Sequence, residues 1–81
     1  AEDVRLMQRV AAGDVRAERL LAHRLADRGL RVALTFVAHR QDAEDVVQDG
    51  LYEILKSAAS YRGEAPLEGW ADRIFVRRSM R

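Results

Sequence analysis

The middle of the chain reads Asp42-Ala43-Glu44-Asp45-Val46-Val47-Gln48-Asp49, an acidic segment whose apolar residues recur at helical spacing. Aspartate is favoured at helix N-caps, so Asp42 is the expected cap, and Asp45 suits the positive end of the helix dipole. Gly50 lies on the apolar stripe, and we expect a second helix to approach closely there. The segment therefore predicts an amphipathic helix that presents carboxylates to its surroundings. The stripe consists of Val46, Val47, Gly50, Leu51, Ile54, Leu55 and Ala58.

Helical patterns also occupy the chain on both sides of this segment. Gly13 closes a first helix, and Asp14 caps a long second helix that Gly29 interrupts or kinks. That helix is expected to continue to Phe36 and Val37, and the acidic helix to end between Ser60 and Gly63. Pro66 suits the first turn of a fourth helix. The apolar positions of that helix are Leu67, Trp70, Ala71, Ile74 and Phe75. The sequence predicts an all-α fold, a compact bundle of about four helices.

Length and composition restrict the possible functions. The 81 residues allow one domain, residues 1–81, with a small core. The chain begins without Met and ends within a helical pattern, so we expect it to be a fragment of a longer chain. It has no cysteine and two distant histidines, which argues against a metal site. We find no phosphate-binding glycine loop and no paired nucleophile and base, so we expect no enzyme activity, catalytic residue or cofactor. Without a signal peptide or spanning segment, it is expected to be cytoplasmic.

The charges are segregated along the chain although the net charge is only +1. Residues 42–53 contain five acidic residues and no basic one, whereas residues 73–81 contain four arginines and no acid. Such segregation favours two different partners, one for a protein-facing surface and one for a nucleic-acid-facing surface, and the alternative is that these charges are simply solvated.

These motifs together resemble region 2 of bacterial RNA polymerase sigma factors of the extracytoplasmic-function (ECF) class. The resemblance begins at Val10-Ala11-Ala12-Gly13-Asp14, includes the acidic segment, and continues through Tyr61-Arg62-Gly63-Glu64-Ala65-Pro66-Leu67 and Trp70 to Arg73-Ile74. It implies a transcription initiation domain that docks on the clamp coiled coil of the largest subunit of RNA polymerase core. It also implies recognition and melting of the promoter −10 element by capture of its non-template DNA strand.

The resemblance assigns the acidic helix to polymerase binding. Its carboxylates and amide suit arginine-rich and lysine-rich helices, and Leu51 offers an apolar anchor beside them. The alternative is a solvated helix face whose acids serve only the helix dipole. The polymerase-binding candidates are Asp45, Gln48, Asp49, Leu51 and Tyr52.

The loop before the fourth helix, and that helix, are assigned to DNA binding. An extruded base needs a flat surface, backbone donors and a rigid pocket, which an aromatic, glycine and proline loop can supply. Arginines one helical turn apart can follow phosphates. Tyr61 and Trp70 have an alternative role as core residues, and the arginines as partners of the helix dipole. The DNA-binding candidates are Tyr61, Arg62, Gly63, Glu64, Trp70, Arg73, Arg77 and Arg78, with Arg81 continuing the basic stripe.

Four positions depart from the family pattern. Leu51 and Leu55 replace aromatic residues, Arg77 stands at a place often taken by asparagine, and Asp72 brings a negative charge near the expected DNA face. Asp72 keeps open a second function, that of a sigma-like decoy or adaptor whose main ligand is an anti-sigma factor. An anti-sigma factor is also an expected partner of an active sigma domain of this class.

Overall fold

A computed structural model of the protein describes residues 2–80 as an all-helical bundle, as the sequence predicts, and contains no β-strand within that range. No helix in this part of the chain combines the length and apolar character needed to cross a membrane. The elements are α1 (Glu2–Ala11), α2 (Val15–Leu34), α3 (Arg40–Lys56), a 3₁₀-helix (Ala58–Ser60) and α4 (Leu67–Ser79).

The turn between α1 and α2 follows local rules. Gly13 has a positive φ of 89°, a conformation that glycine adopts without strain, so it ends the first helical segment. Asp14 Oδ1 then accepts hydrogen bonds from the backbone N–H groups of Arg16 at 3.0 Å and Ala17 at 3.3 Å. The prediction that Asp14 caps the second helix is therefore confirmed.

The start of α3 differs from the sequence prediction. The helix begins at Arg40, and its N-cap is His39, whose extended backbone makes no side-chain capping bond. Asp42 is therefore not the cap. It lies in the first turn of α3. The helix dipole favours a carboxylate both at the N-cap and in the first turn, so an aspartate in the sequence does not show which residue is the cap.

Three other boundaries were also predicted wrongly. The helix α3 ends at Lys56, earlier than expected, and the 3₁₀-helix fills the interval up to Ser60. Pro66 is the N-cap of α4 and precedes its first helical residue. The helix α2 ends at Leu34, and Phe36 lies beyond it with 48% of its surface exposed. The backbone N–H of Thr35 donates to the carbonyl of Val32 and closes the last turn of α2. Phe36 therefore lies outside the helix, although it falls at helical spacing.

The core is centred on the fully buried ring of Phe75 in α4. A Cβ atom built at Gly29 of α2 would lie 2.7 Å from this ring, and one built at Gly50 of α3 would lie 2.6 Å from it. The close approach expected at Gly50 is therefore confirmed. The interruption expected at Gly29 is not observed, because α2 continues through that residue, where the glycine makes room for the ring.

Arginines of α2 connect that helix to its neighbours. Arg24 bonds to Asp3 of α1 through both terminal nitrogens, and its Nε donates to Glu68 of α4 at 2.8 Å. Arg28 makes a bidentate pair with Asp72 of α4, with both distances 2.8 Å. The hydrogen bond from Arg24 lowers the pKa of Glu68 below its ordinary value of 4.5, against the opposing effect of burial.

This lowered pKa predicts acid sensitivity that depends on Glu68. A carboxyl group with a lower pKa in the folded state stabilises the protein above its unfolded pKa, and the contribution is lost as the pH falls through the folded value. We expect urea unfolding midpoints to fall between pH 7 and pH 3, because the folded pKa of Glu68 lies below 4.5, and to fall less in Glu68→Gln than in the wild type. Glu18→Gln is the control, because Glu18 also lies in a first helical turn but has no ion pair within residues 2–80. An equal pH dependence in all three proteins would contradict the assignment.

Candidate nucleic-acid interface

The segment 61–66 between the 3₁₀-helix and α4, here called the recognition loop, forms one wall of a surface hollow. The volume of this hollow is about 410 Å³, within the ~300–1,000 Å³ typical of ligand sites. The first turns of α4 form the opposite wall. We call it the base hollow, and its lining residues are Ser60, Tyr61, Arg62, Glu64, Ala65, Gly69, Trp70 and Arg73.

Two aromatic rings form the inner side of the base hollow. Tyr61 is 7% exposed, and its hydroxyl donates a hydrogen bond of 2.6 Å to the carbonyl of Ala65 across the recognition loop. Its ring meets that of Trp70 edge-on, with centroids 5.4 Å apart and planes at 63°. The core role left open for Tyr61 is the one that the structure supports. Trp70 is half-buried, so it packs on the core and also lines the hollow.

The recognition loop rests on α1 through Gly63. This glycine has φ +79°, and a Cβ atom there would lie 2.7 Å from the side chain of Val4. Both the backbone conformation and the contact require a residue without a side chain. Gly63 therefore fixes the loop from its α1 side and does not line the base hollow, whereas the neighbouring Arg62 and Glu64 are exposed at its rim.

A second, smaller hollow of about 280 Å³ continues along α4 and shares Ser60, Trp70 and Arg73 with the first. We call it the arginine hollow. Arg73 is exposed and has no ion-pair partner among residues 2–80.

Arg77 and Arg78 both bind the carboxylate of Glu53 in α3. The hydrogen bond from Arg78 lowers the pKa of Glu53, and the nearby charge of Arg77 adds to this effect. Arg81 lies outside the described residues.

The negative charge of Asp72 is not directed at either hollow. Arg28 binds it on the α2 side of α4, and neither hollow has Asp72 in its lining. The expectation that Asp72 brings a negative charge near the DNA face stays a prediction, but the structure gives this charge a partner that the sequence did not indicate. That partner, Arg28, lies 44 residues earlier in the chain and is brought to Asp72 only by the packing of α2 on α4.

A shallow groove of about 390 Å³ runs between α2 and α3 on another side of the bundle. Leu30, Val47 and Leu51 give it an apolar floor, and Asp27 and Glu44 add carboxylates. The groove, called here the acidic groove, is lined by Ala26, Asp27, Leu30, Glu44, Val47, Gln48 and Leu51.

Residues 21–81 match the family model described as Sigma-70 region 2. The chain belongs to the sigma-70 region 2 family. It is 31% identical over 75 residues to an RNA polymerase sigma-H factor of Pseudomonas aeruginosa, and the aligned part is 93% of this chain and 39% of that protein. It is 35% identical over 74 residues to an ECF RNA polymerase sigma-E factor of Haemophilus influenzae, covering 91% of this chain and 39% of that protein. The chain thus spans about two-fifths of the length of these curated relatives. No solved structure matches it significantly.

The resemblance to ECF sigma factors seen in the sequence agrees with these relatives. Of the candidate DNA-binding residues of this sigma-70 region 2 chain, five line the base hollow, Arg77 lines the arginine hollow, and Gly63 and Arg78 line neither. The five are Tyr61, Arg62, Glu64, Trp70 and Arg73.

The candidate polymerase-binding residues divide between two faces of α3. Gln48 and Leu51 line the acidic groove, whereas Asp45, Asp49 and Tyr52 are exposed outside its lining. Tyr52 is 63% exposed, and the centroid of its ring lies 5.2 Å from the Lys56 ammonium group, at cation–π distance.

Sequence reasoning missed several residues of these surfaces. Ser60, Ala65 and Gly69 carry no distinctive chemistry, and no pattern singled them out. Asp27 and Leu30 come from α2, so only the helix packing brings them beside α3. Glu53 was noted only for its charge, and its pairing with α4 had no signal in the sequence.

Proposed function

We propose that this region 2 domain docks on RNA polymerase core and recognises and melts the promoter −10 element, as part of an ECF-type sigma factor. The observation that carries the proposal is the base hollow, which combines a half-buried tryptophan, a loop crossed by the Tyr61–Ala65 hydrogen bond and an exposed arginine. A base removed from a duplex needs such a pocket, and stacking on an aromatic ring stabilises a single-stranded base by about 1–3 kcal/mol. Binding free energy drives such opening, so the function needs no catalytic group.

The acidic groove and the exposed carboxylates of Asp45 and Asp49 support polymerase docking. Neither carboxylate has an ion-pair partner in the part of the chain that the structure describes, so both are available to a basic surface. The apolar floor of the groove adds an area that a partner helix can cover. We propose the clamp coiled coil of the largest polymerase subunit as this partner. An anti-sigma factor would compete for the same surface.

The decoy or adaptor function stays an alternative that no observation of the structure favours. It was favoured by Asp72, whose charge is engaged by Arg28 away from both hollows. We therefore retain promoter recognition as the conclusion.

The test uses polymerase core assembled with the chain and promoter fork DNA that exposes the non-template −10 strand. We expect the chain to bind core, and the complex to prefer the cognate −10 sequence over a scrambled strand of equal composition by roughly tenfold or more, as for loss of a specific base contact. Core without the chain is the control. Equal affinity for both strands would overturn the recognition proposal, and failure to bind core would overturn the docking proposal.

A further inference from the structure

Glu53 occupies two of the arginines that the sequence assigns to DNA. Arg78 Nε donates a hydrogen bond of 2.7 Å to Glu53 Oε1, and Arg77 Nη2 donates to Glu53 Oε2. The Glu53 side chain is 20% exposed, whereas that of Arg77 is 56% exposed. The carboxylate is thus held between α3 and α4, while the Arg77 guanidinium remains open to an anion from solvent.

The arginine hollow has the chemistry of a phosphate site apart from this one carboxylate. Arg73 and Arg77 supply guanidinium donors, and Ser57 and Ser60 lie in the same lining. A guanidinium binds carboxylate and phosphate oxygens in the same paired geometry, so the two anions compete for it. Since the hollow adjoins the base hollow along Trp70 and Arg73, the backbone of a strand with one base in the first hollow would run beside the second.

We propose that the arginine hollow binds a backbone phosphate of single-stranded DNA, and that Glu53 holds Arg77 until this phosphate displaces it. The inference rests on the proposed function and adds to it a way of disfavouring nucleic acid without a −10 sequence. In the free chain Glu53 offsets the charge of α4 and lowers its affinity for arbitrary nucleic acid. Base capture brings the phosphate close enough to replace Glu53, so the second contact forms only after the first. Glu53 is ionised at neutral pH, and the hydrogen bond from Arg78 and the charge of Arg77 lower its pKa further below the ordinary value.

The first experiment measures binding of the chain to a labelled oligo-thymidine strand, which carries phosphates but no −10 sequence. We expect Glu53→Gln to bind roughly 3- to 10-fold more tightly than wild type, with a salt dependence steeper by about 0.7 log units, the value for one added phosphate on a single strand. Glu18→Gln makes the same change in net charge away from both hollows and controls for it. Binding by Glu53→Gln no tighter than by Glu18→Gln would overturn the proposal.

A second comparison needs no change at Glu53 and so stands if that variant folds poorly. Arg73 and Arg77 are four residues apart on α4, and only Arg77 has a carboxylate partner among residues 2–80. We expect Arg73→Gln to weaken oligo-thymidine binding and reduce the salt slope by about 0.7 log units, and Arg77→Gln to change both much less. Equal losses in the two variants would refute the masking of Arg77. Because the probe has no −10 sequence, these outcomes are independent of the fork DNA test.

Discussion

Replacing Phe75 with alanine is expected to leave the chain largely unfolded at 25 °C. The ring is fully buried between α2, α3 and α4, and removing such a ring from a core costs about 3–5 kcal/mol. A domain of this size draws only ~3–5 kcal/mol from its core, so the loss is comparable with the whole contribution. Far-UV circular dichroism and urea unfolding measure the outcome.

Phe75→Leu is the matched control for this change. Leucine keeps an apolar side chain between Gly29 and Gly50 and leaves a smaller void, so we expect a folded protein with a lowered unfolding midpoint. We expect the urea unfolding midpoint to decrease in the order wild type, Phe75→Leu, Phe75→Ala. An alanine variant whose unfolding midpoint matches that of the wild type would show that the core is not centred on this ring.

Replacing Trp70 with alanine is expected to weaken binding of the polymerase-bound protein to −10 fork DNA by roughly 5- to 150-fold. The expectation follows from the ~1–3 kcal/mol that stacking of one base on an aromatic ring contributes. Trp70 lines the base hollow, and its ring is held edge-on against Tyr61, so its orientation is fixed before a base arrives. Fluorescence anisotropy of labelled fork DNA measures the change.

Two comparisons separate stacking from a structural effect of Trp70. Trp70→Phe keeps an aromatic face and should recover most of the affinity, whereas Trp70→Leu keeps apolar volume without a ring and should not. Binding to polymerase core should be equal in all these variants, because the acidic groove lies on α2 and α3. If leucine restores binding as well as phenylalanine does, the hollow does not act by stacking.

The sequence predicted features that depend on neighbouring residues. Asp14 and Gly13 act within one turn of the chain, so their residue types were sufficient to place the boundary between α1 and α2. The apolar period of α4 likewise predicted that Ala71, Ile74 and Phe75 would be buried. Glycine on an apolar stripe indicated the close approach at Gly50, whereas the equivalent approach at Gly29 was not predicted.

Features that depend on packing between distant segments were beyond the sequence. Arg28 and Asp72 are 44 residues apart, and Glu53 and Arg78 are 25 apart, so nothing in either segment indicates its partner. These pairs decide which charges remain available to a ligand. The candidate site was therefore predicted by residue type, through the resemblance to sigma factors, while the division of its arginines into free and occupied ones required the structure.

The seating of one ring against two glycines has a mechanical consequence. Because Phe75 of α4 is wedged into α2 and α3 together, a rotation of α4 alone would drive its ring into one backbone or the other. The acidic groove proposed for RNA polymerase and the two hollows proposed for DNA therefore lie on one rigid unit. Under the proposed function, the orientation in which the domain attaches to the polymerase therefore sets the direction in which the captured strand leaves the protein.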